Sequence, residues 1–131
     1  GGKLTFLDIP KESLDTPALK KVFSIPGRTL EVWDPRVYGK DKVTNTGPIN
    51  VVGVWLHIGT NSDLPEEVGY KMIKAFWDNI GTVRETAYWM KQIDMKVATR
   101  ELNIPLHAGA YRYYKEVGFD LPASLKPPEA K

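Results

Sequence analysis

The chain contains no cysteine, which excludes disulfide cross-links, thiolate catalysis and cysteine-ligated zinc together. It also lacks any block of like charge longer than Lys20-Lys21 or Glu66-Glu67. With 18 basic residues against 16 acidic and a net charge of +2, it carries no electrostatic footprint for nucleic acid or an anionic membrane. No apolar run reaches the length of a membrane span, since the longest, Val51 to Ile58, is interrupted by Gly53 and His57. The opening Gly1-Gly2-Lys3-Leu4 has no charged-then-apolar leader, so any export signal is expected upstream of it.

Signals for catalysis are equally sparse. His57 and His107, the two histidines, stand fifty positions apart without a His-x-x-x-His pattern, so no metal site is expected. His57 reads as a structural histidine in a buried strand, and His107, at a helix start, as a residue that positions its loop by a backbone hydrogen bond. None of Ser13, Ser24, Ser62 and Ser124 sits in a glycine-flanked nucleophile elbow. Glu66-Glu67 at a helix start is explained by capping and the helix dipole, and there is no glycine-rich phosphate loop. The expectation is a protein that is not an enzyme and uses no cofactor.

What is present suffices for one hydrophobic core. In 131 residues, 42% are hydrophobic, which fits one α/β unit over residues 1–121 followed by a polar, proline-bearing, frayed tail over 122–131. Lys3 to Ile9 reads as a short strand, Lys11 to Phe23 as a turn and short helix divided at Pro17, and Thr29 to Trp33 as an alternating strand. Three turn signals, Asp34-Pro35, Gly39-Lys40-Asp41 and Asn45-Thr46-Gly47-Pro48, mark a loop or hairpin excursion. Ile49 to Ile58 is apolar on both faces and predicts a strand buried within a sheet. Asp63-x-x-Glu66 resembles a capping box with Pro65 in the first turn, opening a helix to about Asn79, and Arg84 to Ile93 is a further helical candidate.

The most informative stretch runs from Ile104 to Gly118. Pro105 stops what precedes, and Ala110, Tyr113, Tyr114 and Val117 then share one helical face, with Arg112, Lys115 and Glu116 on or near the other. Gly118 supplies the left-handed residue that commonly ends a helix. Two adjacent tyrosines on so short a helix need a body to pack against and partners for their hydroxyls.

Pro105, His107, Gly109 and Ala110, running into Arg112, Tyr113, Tyr114, Glu116 and Gly118, resemble the C-terminal signature of the TAXI family, the extracytoplasmic solute receptors of TRAP transporters. Ala108 replaces the proline of that pattern. Asp63 to Tyr70 and Lys74 to Asn79 resemble the family's proline-started helix, and Ile25-Pro26-Gly27-Arg28-Thr29 its isoleucine-proline-x-x-threonine step. Leu30 stands where the family often has tyrosine, and the stretch from Glu31 to Gly47 is longer than the pattern.

The resemblance implies an α/β fold, the C-terminal part of a two-lobe periplasmic-binding-protein-like receptor, with a mixed sheet flanked by helices. It further implies a periplasmic protein that captures a small organic acid or amino acid and delivers it to membrane permease subunits. The complete receptors are more than twice this length, so the chain reads as a fragment or a shortened relative, with apolar sheet faces left open to self-association or to a missing portion. The alternative is a non-catalytic structural or interaction module that keeps the receptor's C-terminal architecture without a ligand cleft.

One local cluster suits a small carboxylate. Arg28 offers a bidentate fork, Thr29 an orienting hydroxyl, and Trp33 and Tyr38 an aromatic wall. The same residues also read as a solvated turn arginine and a tryptophan that packs a hairpin.

Overall fold

Thr16 and Pro17 together start the first helix. Pro17 has no amide hydrogen to leave unpaired, and the Thr16 hydroxyl accepts a hydrogen bond from the Leu19 N–H at 3.5 Å, so α1 runs over Pro17–Phe23. This is the division at Pro17 that the sequence predicts, with a single 3-10 turn over Lys11–Ser13 before it. The computed structural model describes residues 2–129; the last two residues of the expected tail, Ala130 and Lys131, lie outside the described residues.

The chain forms two compact units, one ending at Leu56 and the other beginning at His57. This differs from the single unit expected over residues 1–121. Every residue from Leu56 to Asp63 is exposed.

In the first unit, strand β1 (Arg28–Trp33) pairs antiparallel with β2 (Ile49–Val54) in the register Arg28 to Val54 through Trp33 to Ile49. The sheet is therefore two-stranded rather than mixed, and its parallel component is one isolated bridge between Leu4 and Val43. The expected strand from Lys3 to Ile9 reduces to that bridge and an Ile9 N–H to Asn50 carbonyl bond of 3.0 Å. The excursion between the strands folds back on itself. Asp34 caps a 3-10 turn over Pro35–Tyr38, accepting from the Arg36 N–H at 3.0 Å and from its guanidinium at 2.6 Å, while Pro35 and Val43 are buried beneath.

The guanidinium and amide of Arg36 hold the Asp34 carboxyl down to about 2, below its ordinary value of 3.8. A carboxyl whose folded pKa is depressed lends stability above its unfolded pKa and loses it as pH falls toward the folded value. Acidification from about pH 4 to about pH 2 should thus loosen the wild-type excursion selectively. Asp34→Asn should flatten that acid limb in a pH series of urea melts, and an unchanged limb would remove Asp34 from it.

Strand β2 is shorter and more open than its sequence suggests. Val54 is 65% exposed, and Leu56 and Ile58 lie beyond the pairing, exposed in turn. An apolar run is buried on both faces only where layers cover both. A hairpin paired with one partner strand buries one face alone.

The second unit is helical. Helix α2 (Glu66–Asp78) is followed by α3 (Ile80–Thr86), a 3-10 segment over Tyr88–Gln92, and α4 (Ala108–Glu116). The helical candidate over Arg84 to Ile93 is thus split at Ala87, whose φ of −151° is extended. Arg84 then donates through Nε to the Ile93 carbonyl at 2.9 Å and ties the 3-10 segment back to α3. Helix α2 starts without the capping box: Pro65 occupies the cap position with no side-chain bond, and Asp63 instead donates its N–H to Asn61 Oδ1.

Trp77, Tyr113, Tyr114, Leu121 and Leu125 form the core of this unit. Tyr114 accepts the indole N–H of Trp77 at 3.2 Å, so the one polar tip buried with it is satisfied. The tail is a correction. Leu125 is 2% exposed and its carbonyl accepts the Leu106 N–H at 3.0 Å, so the chain from Pro122 packs on the core rather than fraying. A leucine and the buried Pro127 among polar residues supply enough apolar surface to anchor it. Val117, placed with the tyrosines by periodicity, is 43% exposed because α4 ends one residue earlier. Gly118 takes the left-handed conformation at φ 90° as the C-terminal signal predicts. Among the described residues no helix is long and apolar enough to cross a membrane.

Candidate functional site

Strand alternation decides which of the four sequence-predicted site residues can act together. Thr29, Glu31 and Trp33 occupy the more buried face of β1, whereas Arg28, Leu30 and Val32 occupy the opposite, exposed one. Arg28 and Thr29 therefore do not grip one carboxylate side by side, because neighbours along a strand point to opposite faces. Thr29, Trp33 and Tyr38 remain on one side of the unit. Trp33 sets its ring edge-on to Tyr38 at 5.8 Å and to Phe6 at 5.0 Å, and Phe6 stacks on Tyr38 at 5.8 Å. Tyr38 is half exposed and presents this aromatic wall to solvent.

The Thr29 hydroxyl is engaged in both directions. It donates to Glu31 Oε1 at 2.7 Å and accepts the Trp55 indole N–H at 2.9 Å. Gly53, opposite Thr29 in the register, makes room: a Cβ there would collide with the Glu31 side chain and reach 3.1 Å from the Thr29 hydroxyl. Glu31, Gly53 and Trp55 enter the candidate site only through the structure. Two signals could have found them: the period of two that puts Glu31 between Thr29 and Trp33, and a glycine inside an apolar strand, which marks a close approach. The resulting face carries a carboxylate, a hydroxyl and two indoles, suited to hydrogen-bonding and flanking a small polar ligand.

Thr29→Val should uncouple Glu31 and Trp55 while keeping the strand. The expected loss is about 1–2 kcal/mol in urea melts, with altered Trp55 fluorescence. Unchanged emission would show that the hydroxyl positions neither group.

His57 and His107 are both tied to backbone. His57 lies beyond β2 and is exposed, not within a buried strand, and its Nε2 meets the Arg100 carbonyl at 3.1 Å. His107 is the N-cap of α4. Its Nδ1 accepts the Gly109 N–H at 3.1 Å, which fixes the tautomer, and Nε2–H donates to the Leu64 carbonyl at 2.8 Å. It therefore clasps the start of α4 to the start of α2, the positioning role its sequence context suggests.

Around that clasp the two helices touch backbone to backbone. A Cβ at Gly109 would overlap the Glu66 carbonyl and the Tyr70 amide, and one at Gly69 would overlap the His107 ring. Arg112 then bridges to Glu66 and Glu67, at 2.7 Å each, with its guanidinium 4.0 Å above the Tyr70 ring. Tyr70 donates its hydroxyl to Glu116 at 2.8 Å. The Arg112 hydrogen bond lowers the Glu67 pKa, and the bond to Glu116, followed by desolvation, raises that of Tyr70. Of the Pro105 to Gly118 signature, His107, Gly109, Arg112, Tyr113, Tyr114 and Glu116 thus all meet α2 or its start. Among the described residues, no group of His, Asp and Glu side chains is placed to hold a metal ion.

The family comparison spans both units. The model of the NMT1-like family matches residues 7–118, which takes in β1, β2 and the whole histidine and tyrosine signature. The chain belongs to the NMT1-like family. This is a periplasmic-binding-type family related to solute receptors, a family of binding proteins. Comparison with curated proteins and with solved structures finds no match. For this NMT1-like chain, the small α/β architecture agrees with a partial binding-protein-like domain and a generic solute-binding role.

Proposed function

We propose that this NMT1-like chain is the C-terminal part of a two-lobe extracytoplasmic receptor of the TAXI type. In that role it serves capture of a small organic acid or amino acid and its delivery to a TRAP permease, without catalysis. The observation that carries the reading is the family match over residues 7–118. The Pro105 to Gly118 signature supports the TAXI assignment by resemblance, and a periplasmic location follows from the same reading.

The proposed ligand wall is Thr29, Trp33 and Tyr38, with Glu31 and Trp55 beside them. A ligand held there meets a hydroxyl, a carboxylate and aromatic faces. Arg28 would reach a ligand carboxylate only from the other face of β1, as a separate contact.

A lone wall cannot enclose a small solute, and closure of two lobes about it is what converts contact into affinity and signals the bound state to a permease. Titration calorimetry of this chain against dicarboxylates and acidic amino acids should therefore show weak binding or none. Micromolar or tighter binding would mean that the cleft is complete here and that the fragment reading is wrong. In an intact receptor carrying this sequence, Trp33→Ala should weaken ligand binding by about tenfold or more. Equal affinity in a folded variant would favour the second reading, an interaction module without a cleft. That reading draws support from the open apolar face of the β1–β2 hairpin, where Val32 and Val54 are 71% and 65% exposed.

A further inference from the structure

The hairpin of the first unit carries an unused hydrogen-bonding edge. The Trp55 N–H donates to the Gly27 carbonyl at 2.9 Å, so in the register of the pair the main chains of Thr29, Glu31 and Trp33 face β2, while those of Arg28, Leu30 and Val32 face away. The Arg28 N–H turns back to the Ile25 carbonyl, but the N–H and C=O of Leu30 and Val32 meet no partner among the described residues. The outer edge of β2 is obstructed at its start, where the Asn50 carbonyl accepts from Ile9 and the Asn50 N–H donates to Asp8. Helix α1 lies beside β1, but no described residue hydrogen-bonds to the outward main chain of Leu30 or Val32.

The side chains of that edge belong to the exposed apolar face. Leu30 is 41% and Val32 71% exposed, and Val52 and Val54 continue the face across the hairpin. Proteins commonly guard an open edge with a lysine, a proline, a bulge or an inward-pointing charge. Between Thr29 and Trp33 β1 has no lysine, no proline and no break in its register, and its one charge, Glu31, lies on the other face.

We infer that the outer edge of β1 pairs antiparallel with the same edge of a second copy of this chain, about a twofold axis at Leu30. The strand is self-complementary in that register. Leu30 faces Leu30, so each N–H reaches the opposite carbonyl, and each Val32 N–H reaches the free carbonyl of Arg28 in the other copy. Thr29 falls opposite Glu31, a hydroxyl against a carboxylate, and Arg28 opposite Val32, so no like charges meet. The Leu30 N–H and C=O and the Val32 N–H of each copy gain partners, while the Val32 carbonyl, whose counterpart Arg28 N–H is held by Ile25, stays open to solvent, and a marginal two-stranded hairpin becomes the middle of one sheet running through both copies. This goes beyond the receptor reading and stands whether or not a ligand is bound.

Sedimentation velocity over a micromolar to high-micromolar series should show a concentration-dependent monomer to dimer equilibrium. Leu30→Lys and Val32→Lys should each raise the dimer dissociation constant by about tenfold or more, whereas Val54→Lys, on the opposite edge of the same face, should leave it near wild type. Hydrogen exchange of the unmodified chain gives a second readout that needs no variant. The Leu30 and Val32 amides should gain protection with concentration while the Val52 and Val54 amides do not. A monomer throughout the series overturns the inference, as does a dimer that Val54→Lys dissociates equally or that leaves the Leu30 and Val32 amides unprotected, since such a dimer would stack faces or use another surface.

Discussion

Gly109→Ala should destabilise the second unit by on the order of 4 kcal/mol or more. The added Cβ would sit on the Glu66 carbonyl and the Tyr70 amide, and these are main-chain atoms of α2 with no rotamer to escape into. The strain can relax only if α4 lifts away from α2. That movement would stretch the His107 bond to Leu64 and pull Tyr113 and Tyr114 from the core. Gly69→Ala should cost less, because its Cβ meets the His107 ring, a side chain that can turn aside at the loss of its hydrogen bonds. Urea melts followed by tryptophan emission measure both. If Gly109→Ala melts with Gly69→Ala or later, the helices are not in backbone contact at this point.

Tyr114→Ala should cost about 3 to 5 kcal/mol, the range for emptying a buried aromatic site. Tyr114 is 5% exposed, packs on Tyr113 and Phe119 with ring centroids at 5.8 and 5.0 Å, and accepts the Trp77 N–H. Its removal leaves both a cavity and a buried donor without a partner. Tyr114→Phe separates the two contributions: it keeps the ring and orphans the indole N–H alone, for about 1 to 2 kcal/mol. Arg112→Ala is the contrast, since its bonds to Glu66 and Glu67 lie in solvent and such pairs contribute little. A loss from Arg112→Ala that matches Tyr114→Ala would show that the surface clasp, not the core, holds α4 down.

Burial also holds the Tyr114 phenol above its ordinary pKa. A group whose folded pKa is raised contributes its full stability below the unfolded value and loses it as pH rises through the folded one. The Tyr114 wild type should therefore soften at strongly alkaline pH more than Tyr114→Phe does.

Local signals along the chain dictate its short elements and the signature helix. Pro17 divided the first helical stretch, Thr29 to Trp33 alternated as a strand does, and the spacing of Tyr113 and Tyr114 placed both on a buried face, because these signals act within a few residues of the chain. The same local rules misled where the outcome depended on distant partners. An apolar run predicts a doubly covered strand, but β2 met one neighbour and stayed open on its far face; a proline-bearing tail predicts fraying, but Leu125 found a core to enter. The candidate site shows the division most sharply. Arg28 and Thr29 are adjacent in sequence and oppositely directed on the strand, while Thr29 and Trp55, 26 positions apart, share a hydrogen bond. Which residues occur was written in the sequence. Which of them meet was decided by the pairing of β1 with β2 and by the glycine contact of α4 with α2, because register and close approach bring together atoms that no local spacing relates.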